Sequence, residues 1–268
     1  MNIYKLGKNL FKNKLSNFAL STYFKTNNLL KYKTTDFFSY IEFQTITTCN
    51  RKCSFCPVSF NPQEDKLMSM ELIEKLLAEL KSINYSGWIS PHLYGEPLLD
   101  KRLVEIVSRI RKYLPNAYIV IYSNGDLMFP KVFRELVKNG ADKFIISQYD
   151  DKKSNAMKEL FNTIDKNEKN LINYTLVNDE SILSNRGGLV DVENQVIEKK
   201  CDIKTITLHA DGQVVMCAND YFGKNKFGDL NKEKLLDIWF KPNFVKLRKN
   251  LRKGIFQTKV CKNCKNIR

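Results

Sequence analysis

The stretch Tyr40-Ile41-Glu42-Phe43-Gln44-Thr45-Ile46-Thr47-Thr48-Cys49-Asn50-Arg51-Lys52-Cys53-Ser54-Phe55-Cys56 sets a short strand against three clustered cysteines. Tyr40–Ile46 has the composition of a β-strand, and the cysteines follow its carboxyl end. That is where parallel α/β folds collect their chemistry, because loops there converge on one mouth. Three thiolates cannot ligate every iron of a four-iron cluster, so one iron stays open to a small molecule. The remaining cysteines, Cys201, Cys217, Cys261 and Cys264, follow the pattern Cys-x15-Cys-x43-Cys-x2-Cys. Four thiolates can close a cluster or a zinc site. Seven cysteines at these spacings read as metal ligation rather than as the staples of a secreted domain.

Outward from this stretch, short apolar runs alternate with helical patterns. Strands are expected at Tyr40–Ile46, Trp88–Leu93, Tyr118–Tyr122, Lys143–Ser147 and Leu171–Val177. Helices are expected at Met70–Ile83, Lys101–Tyr113, Pro130–Asn139 and Lys152–Asn167, with Leu72, Ile73, Leu76, Leu77 and Leu80 forming one apolar stripe. Alternation of this kind predicts parallel strands joined by right-handed crossovers. A complete eight-unit barrel takes about 250 residues, and residues 40–190 hold room for five or six units. The fold class is therefore α/β, a partial (β/α)5-6 TIM-like barrel. Beyond residue 195, Ile203–Leu208 and Val214–Cys217 read as a β-hairpin about Ala210–Gln213, and Leu230–Phe240 as a short helix. The expected division is a basic N-terminal helical extension over 1–37, the barrel over 38–194 and a small hairpin-plus-helix cluster-binding domain over 195–268.

The Cys49-x3-Cys53-x2-Cys56 spacing, with Phe55 before the last cysteine, resembles the radical S-adenosylmethionine (SAM) superfamily. The resemblance implies a [4Fe–4S] cluster on Cys49, Cys53 and Cys56. SAM on its open iron would be cleaved to a 5′-deoxyadenosyl radical. Three further segments fit that family. Tyr94-Gly95-Glu96-Pro97 is similar to its Gly-Gly-Glu-Pro segment, which meets the SAM amino group, with Tyr94 in place of the first glycine. Ser123-Asn124-Gly125 is similar to the segment lining the ribose, and Ser147 stands where the family places a polar ribose contact.

The late cysteines, with Asp220, Gly228-Asp229-Leu230 and Asp237-Ile238-Trp239, resemble the twitch domain, a shortened SPASM domain. That implies one auxiliary [4Fe–4S] cluster on Cys201, Cys217, Cys261 and Cys264, where the residues alone leave a zinc ribbon open. The family includes small dehydrogenases that oxidise an aminocyclitol alcohol and carry an arginine shortly before the first auxiliary cysteine. Arg186, within Ser184-Asn185-Arg186-Gly187-Gly188, fits that place. Arg186 would orient the hydroxyl or hold an anionic group. His92 could accept a proton, or be an ordinary core histidine. With every cysteine on iron, no thiol is left to return a hydrogen atom, which favours oxidation over epimerisation unless Tyr149 serves as donor.

The net charge of +15 lies at the ends. Residues 1–35 hold seven lysines and no acid, residues 241–268 hold ten Lys or Arg and no acid, and the middle is nearly neutral. Such a distribution suits a phosphorylated or nucleotide-linked small substrate, a solvated surface, or compensation of a thiolate cluster. Leu6, Leu10, Phe11, Leu15 and Phe18 recur at helical spacing, which packs on the main domain or touches a membrane surface. No apolar run spans a bilayer and the amino-terminal stretch lacks the signature of a signal peptide, so a cytoplasmic enzyme is expected. The expected partners are a small-molecule substrate and an external electron donor such as flavodoxin or ferredoxin. A peptide maturase, a carbohydrate epimerase and a basic zinc-binding nucleic-acid module are the rival readings; nucleic acid is not expected, because the open three-cysteine site argues against it.

Overall fold

The computed structural model describes residues 22, 26, 28–149, 152–177, 184–191, 196–197 and 200–266. The expected helix around Leu6–Phe18 lies outside the described residues, and residues 28–32 are helical.

The barrel half runs β1 (Tyr40–Phe43), α1 (Pro57–Phe60), α2 (Met70–Ser82), β2 (Trp88–Ser90), α3 (Leu103–Tyr113), β3 (Tyr118–Ser123), α4 (Pro130–Lys138), β4 (Lys143–Gln148), α5 (Asn155–Thr163), α6 (Lys166–Lys169) and β5 (Ile172–Leu176). Then follow β6 (Val196–Ile197), β7 (Thr205–Leu208), β8 (Gln213–Val215), β9 (Lys226–Asp229), α7 (Leu235–Trp239), α8 (Pro242–Arg252), α9 (Lys259–Asn263) and β10 (Lys265–Asn266). One eight-stranded sheet has the order β5-β4-β3-β2-β1-β7-β8-β9, and β6 pairs separately with β10. β1 to β5 pair in parallel, joined by helices. β7 joins β1 in parallel, Tyr40 opposite Thr205 and Phe43 opposite Leu208. The first strand of the hairpin, β7, therefore extends the barrel sheet as its sixth parallel strand, and β8 and β9 follow it antiparallel.

Local chemistry sets the helix ends. Ser69 caps α2 by accepting from Leu72 N, and the stripe of Leu72, Ile73, Leu76, Leu77 and Leu80 is buried. α3 starts at Leu103, because Asp100 binds the backbone and guanidinium of Arg102 in a turn first. The single helix expected over Lys152–Asn167 breaks in two. Ile164 is extended, and Asp165 starts α6 with a capping box to Glu168.

The expected helix over Leu230–Phe240 shortens to α7, and α8 follows it. The guanidinium of Arg248 on α8 is fully buried 3.7 Å over the Trp239 ring and 4.6 Å from Phe244, and pairs with Asp36 at 3.0 Å. Asp36 also accepts from Arg252 at 2.9 Å. Burial raises the Asp36 carboxyl, but Arg248 and Arg252 outweigh it and hold it below its ordinary value. This pairing ties the basic tail to the strand-leading segment before β1. Among the described residues, no helix is long and apolar enough to cross a membrane.

Candidate active site

Parallel pairing brings the carboxyl ends of β1 to β4 to one mouth, and the chemistry-bearing residues follow each end. A cavity of about 340 Å³ opens there. Its walls include Cys49, Cys53, Phe55 and Cys56 after β1, His92, Tyr94, Gly95 and Glu96 after β2, and Ser123 and Asn124 at the end of β3. Ser147 on β4 and Tyr149 just after it complete the ring, and Arg186 reaches in from the segment after β5. Of the residues expected around SAM or substrate, Pro97 alone is not on the wall. It opens a 3-10 turn whose N-cap is Glu96.

Glu96 is the hub of the mouth. Its carboxylate accepts from Ser123 Oγ at 2.8 Å, Asn124 N at 2.9 Å and Leu98 N at 3.1 Å. Burial pushes this acid up to about 7, against the pull of those donors. Gly95 adopts φ +84°, and a Cβ there would stand 2.4 Å from the Ile46 carbonyl oxygen. Close approach is thus required at the second residue of the Tyr94–Pro97 segment, and Tyr94 is accommodated at the first. Its hydroxyl donates to the Ala218 carbonyl and its ring meets Tyr221 edge-on at 4.6 Å. The cysteine loop is held from β3: Arg51 grips Asp126, with Nη2 at 2.6 Å, and Asn124 Nδ2 donates to Asn50 at 2.8 Å. Phe55 packs on the Tyr149 ring at 4.9 Å.

A second cavity, of about 440 Å³, is lined by Cys201, Cys217, Cys261 and Cys264. The hairpin supplies Cys217, Cys201 hangs from Leu251 by its backbone N–H at 3.1 Å, and α9 brings Cys261 and Cys264. Both cysteine sets suit iron–sulfur clusters. Burial pushes the thiols of Cys49, Cys56, Cys217 and Cys261 up, so thiolates there require a cationic core to hold them. N–H donors reach sulfur as well: Arg51 N to Cys49 at 3.4 Å and Asn219 Nδ2 to Cys264 at 3.2 Å.

The two cavities share Glu42 and Ala218 in their walls. Sequence reasoning missed Glu42, with Tyr40 and Tyr122. The signal was present: Tyr40, Glu42 and Gln44 alternate with Ile41 and Phe43, which puts an acid on the interior face of a barrel strand. Glu42 accepts from Thr207 Oγ1 at 2.7 Å, and burial pushes it up to about 7, opposed by Thr207 and Arg186. His92 stacks on Tyr122 at 5.6 Å. Burial and then the charge of Arg186 push its pKa down to about 4, so it is neutral at physiological pH. Arg186 sits at φ +50°, and its buried Nε has no hydrogen-bond partner among the described residues.

Residues 43–171 match the radical SAM superfamily, and residues 201–265 match the iron-sulfur cluster-binding SPASM domain. The S-adenosyl-L-methionine-dependent 2-deoxy-scyllo-inosamine dehydrogenase of Niallia circulans is 32% identical over 238 residues, covering 86% of this chain and 94% of that protein. A GTP 3',8-cyclase of Clostridium perfringens is 27% identical over 216 residues, covering 74% of this chain and 61% of that protein. Among solved structures, BtrN in complex with AdoMet and 2-DOIA superposes with a TM-score of 0.79 at 32% identity, over 86% of this chain and 94% of that one. The AdoMet-bound anSMEcpe structure shares the fold, with a TM-score of 0.56 at 13% identity over 84% of this chain and 86% of that one. Two iron–sulfur clusters and SAM are the cofactors this architecture serves, and the chain belongs to the radical SAM superfamily.

Proposed function

We propose that this enzyme oxidises one secondary alcohol of a small hydroxylated ring, an aminocyclitol or a related sugar, to a ketone. The observation that carries the reading is the shared wall. The SAM-side cavity holding Arg186 abuts the four-cysteine cavity at Glu42 and Ala218. A hydrogen atom can leave on one side of a bound alcohol and an electron on the other. Similarity to the inosamine dehydrogenase over nearly its whole length supports the same class of substrate.

SAM and its cluster, when bound, would supply hydrogen-atom abstraction at the carbinol carbon, and the second cluster would supply a one-electron acceptor. The chain does the rest. Cys49, Cys53 and Cys56 hold the first cluster, and Cys201, Cys217, Cys261 and Cys264 the second. Glu96 receives the SAM amino group, with Tyr94, Gly95 and Pro97 shaping its approach. Ser123, Asn124 and Ser147 present polar groups to the ribose, and Phe55 bounds the site beside Tyr149. The unengaged Nε–H of Arg186 donates to the substrate oxygen and stabilises negative charge developing there. Neutral His92 takes up the hydroxyl proton. Tyr149, packed on the Phe55 ring at 4.9 Å, closes the cavity rather than returning hydrogen. An external one-electron donor such as flavodoxin or ferredoxin would reduce the first cluster, and the thiol ligands suit a reducing cytoplasm.

Anaerobic reconstitution tests the class. Two clusters correspond to about eight irons per chain, and reductant should then release 5′-deoxyadenosine from SAM. Bound zinc without 5′-deoxyadenosine would refute it.

A further inference from the structure

Asn219 lines the second cavity beside all four of its cysteines, and its side-chain Nδ2 donates to Cys264 Sγ at 3.2 Å. The donor at the first cysteine set, Arg51 N to Cys49, is main chain. Asn219 is also held firmly from its own backbone. It lies in the turn after β8, which Asp220 N closes on the Cys217 carbonyl at 2.9 Å. The buried Asp220 carboxylate accepts from Lys224 N at 3.1 Å and Asn225 N at 2.7 Å. On the other side lies Gly187, where a Cβ would stand 3.1 Å from the Asn219 carbonyl oxygen. The carboxamide is therefore aimed at the sulfur by the fold.

Much of the surrounding wall is apolar. Ile203, Met216, Leu251, Phe256 and Val260 line the cavity, and Met216 Sδ lies 3.5 Å from Cys261 Sγ. Such a wall disfavours the extra negative charge of a reduced cluster, which lowers its reduction potential. The nearby cations offset this weakly. Lys204 is engaged with Asp36 and Asp202, and Lys200 is exposed, where water and salt screen it. Against an apolar wall, one N–H aimed at a ligand sulfur counts for more than it would in water. The bond strengthens as the sulfur gains negative charge, so it favours the reduced form.

We propose that Asn219 sets the reduction potential of the second cluster, raising it so that the electron left when the alcohol becomes a ketone is taken up. One electron leaves the substrate and one enters the cluster, and no further oxidant is needed for that step. Acting through Cys264, Asn219 is a positioning residue rather than a catalytic one. The inference deepens the reading of the preceding section and rests on it for the identity of the cluster.

The test reads a potential, not turnover. Asn219→Ala removes the donor, and Asn219→Asp keeps the shape but replaces the donor with a negative oxygen. The reconstituted full chain is titrated anaerobically with a chemical reductant, and the reduced clusters are followed by electron paramagnetic resonance. The signal retained in Cys53→Ala identifies the second cluster. Both Asn219 variants should keep about eight irons per chain. In Asn219→Ala the second midpoint should move negative by about 59 mV, a tenfold loss in the electron-acceptance equilibrium. Asn219→Asp should move it further, with the first midpoint unchanged in both. An unmoved second midpoint in iron-replete Asn219→Asp overturns the proposal, and so does an equal shift of both clusters. Loss of the second cluster's iron from both variants overturns it too, because Asn219 would then hold the cluster rather than tune it. Zinc or a redox-silent second site in the unaltered protein would instead refute the cluster on which the inference rests.

Discussion

The side-chain amide of Asn185 donates to the main-chain carbonyl of Asn263 at 2.7 Å. The turn that carries Arg186 is thereby fastened to the segment between Cys261 and Cys264. The next residues strengthen the link: a Cβ on Gly187 would stand 2.8 Å from Val260, and one on Gly188 2.8 Å from Asn263. Substrate positioning and auxiliary-cluster binding therefore share one piece of structure. Asn185→Ala should keep its full iron and sulfide content yet bind the alcohol roughly tenfold more weakly, as one lost buried hydrogen bond implies. Calorimetry beside iron analysis would check this. Loss of iron with unchanged alcohol affinity would contradict it.

The two cysteine sets should separate genetically. Cys53→Ala removes a ligand of the open site, so 5′-deoxyadenosine formation should vanish and about four irons per chain should remain. Cys201→Ala should also lose about half the iron, but it should still cleave SAM with reductant, without forming ketone. Iron analysis and product chromatography read both. Cleavage of SAM by Cys53→Ala would contradict the assignment of the first set.

The parallel strands β1 to β5 and most of the wall of the first cavity were legible in the sequence, because the wall residues lie at fixed offsets from strand ends; the joining of β7 to β1 was not, since it pairs segments some 165 residues apart. Glu96, Ser123, Asn124 and Ser147 all stand where a parallel barrel must present them. Glu42 was not read, because it lies inside a strand rather than after one. Tyr94 could be read as a departure from a glycine, but its long contact with Ala218 joins segments 124 residues apart. Helix α8 left a readable trace in Pro242, Phe244, Leu247, Arg248 and Leu251. The burial of Arg248 did not, since it depends on Asp36, 212 residues away.

That ion pair makes a stability prediction. Asp36→Ala strands a fully buried guanidinium, and breaking such a pair typically costs about 3 kcal/mol. Arg252 and the Trp239 face remain as partial partners, so the chain should fold with a lower denaturant midpoint. The lowered Asp36 pKa fixes the sign of the pH effect. Its contribution is present above the ordinary carboxylate value near 3.8 and is lost as acid protonates the folded form. Chemical denaturation at pH 7 and pH 3 should show a smaller gap between the variant and the parent at the lower pH.

The central claim is that a carbinol hydrogen leaves for good. The ring carrying deuterium on its oxidised carbon, supplied to the reduced, two-cluster enzyme with SAM, tests it most directly by mass spectrometry. The account predicts one deuterium in 5′-deoxyadenosine for each ketone formed. Recovery of the alcohol with inverted configuration and a hydrogen from solvent would contradict it.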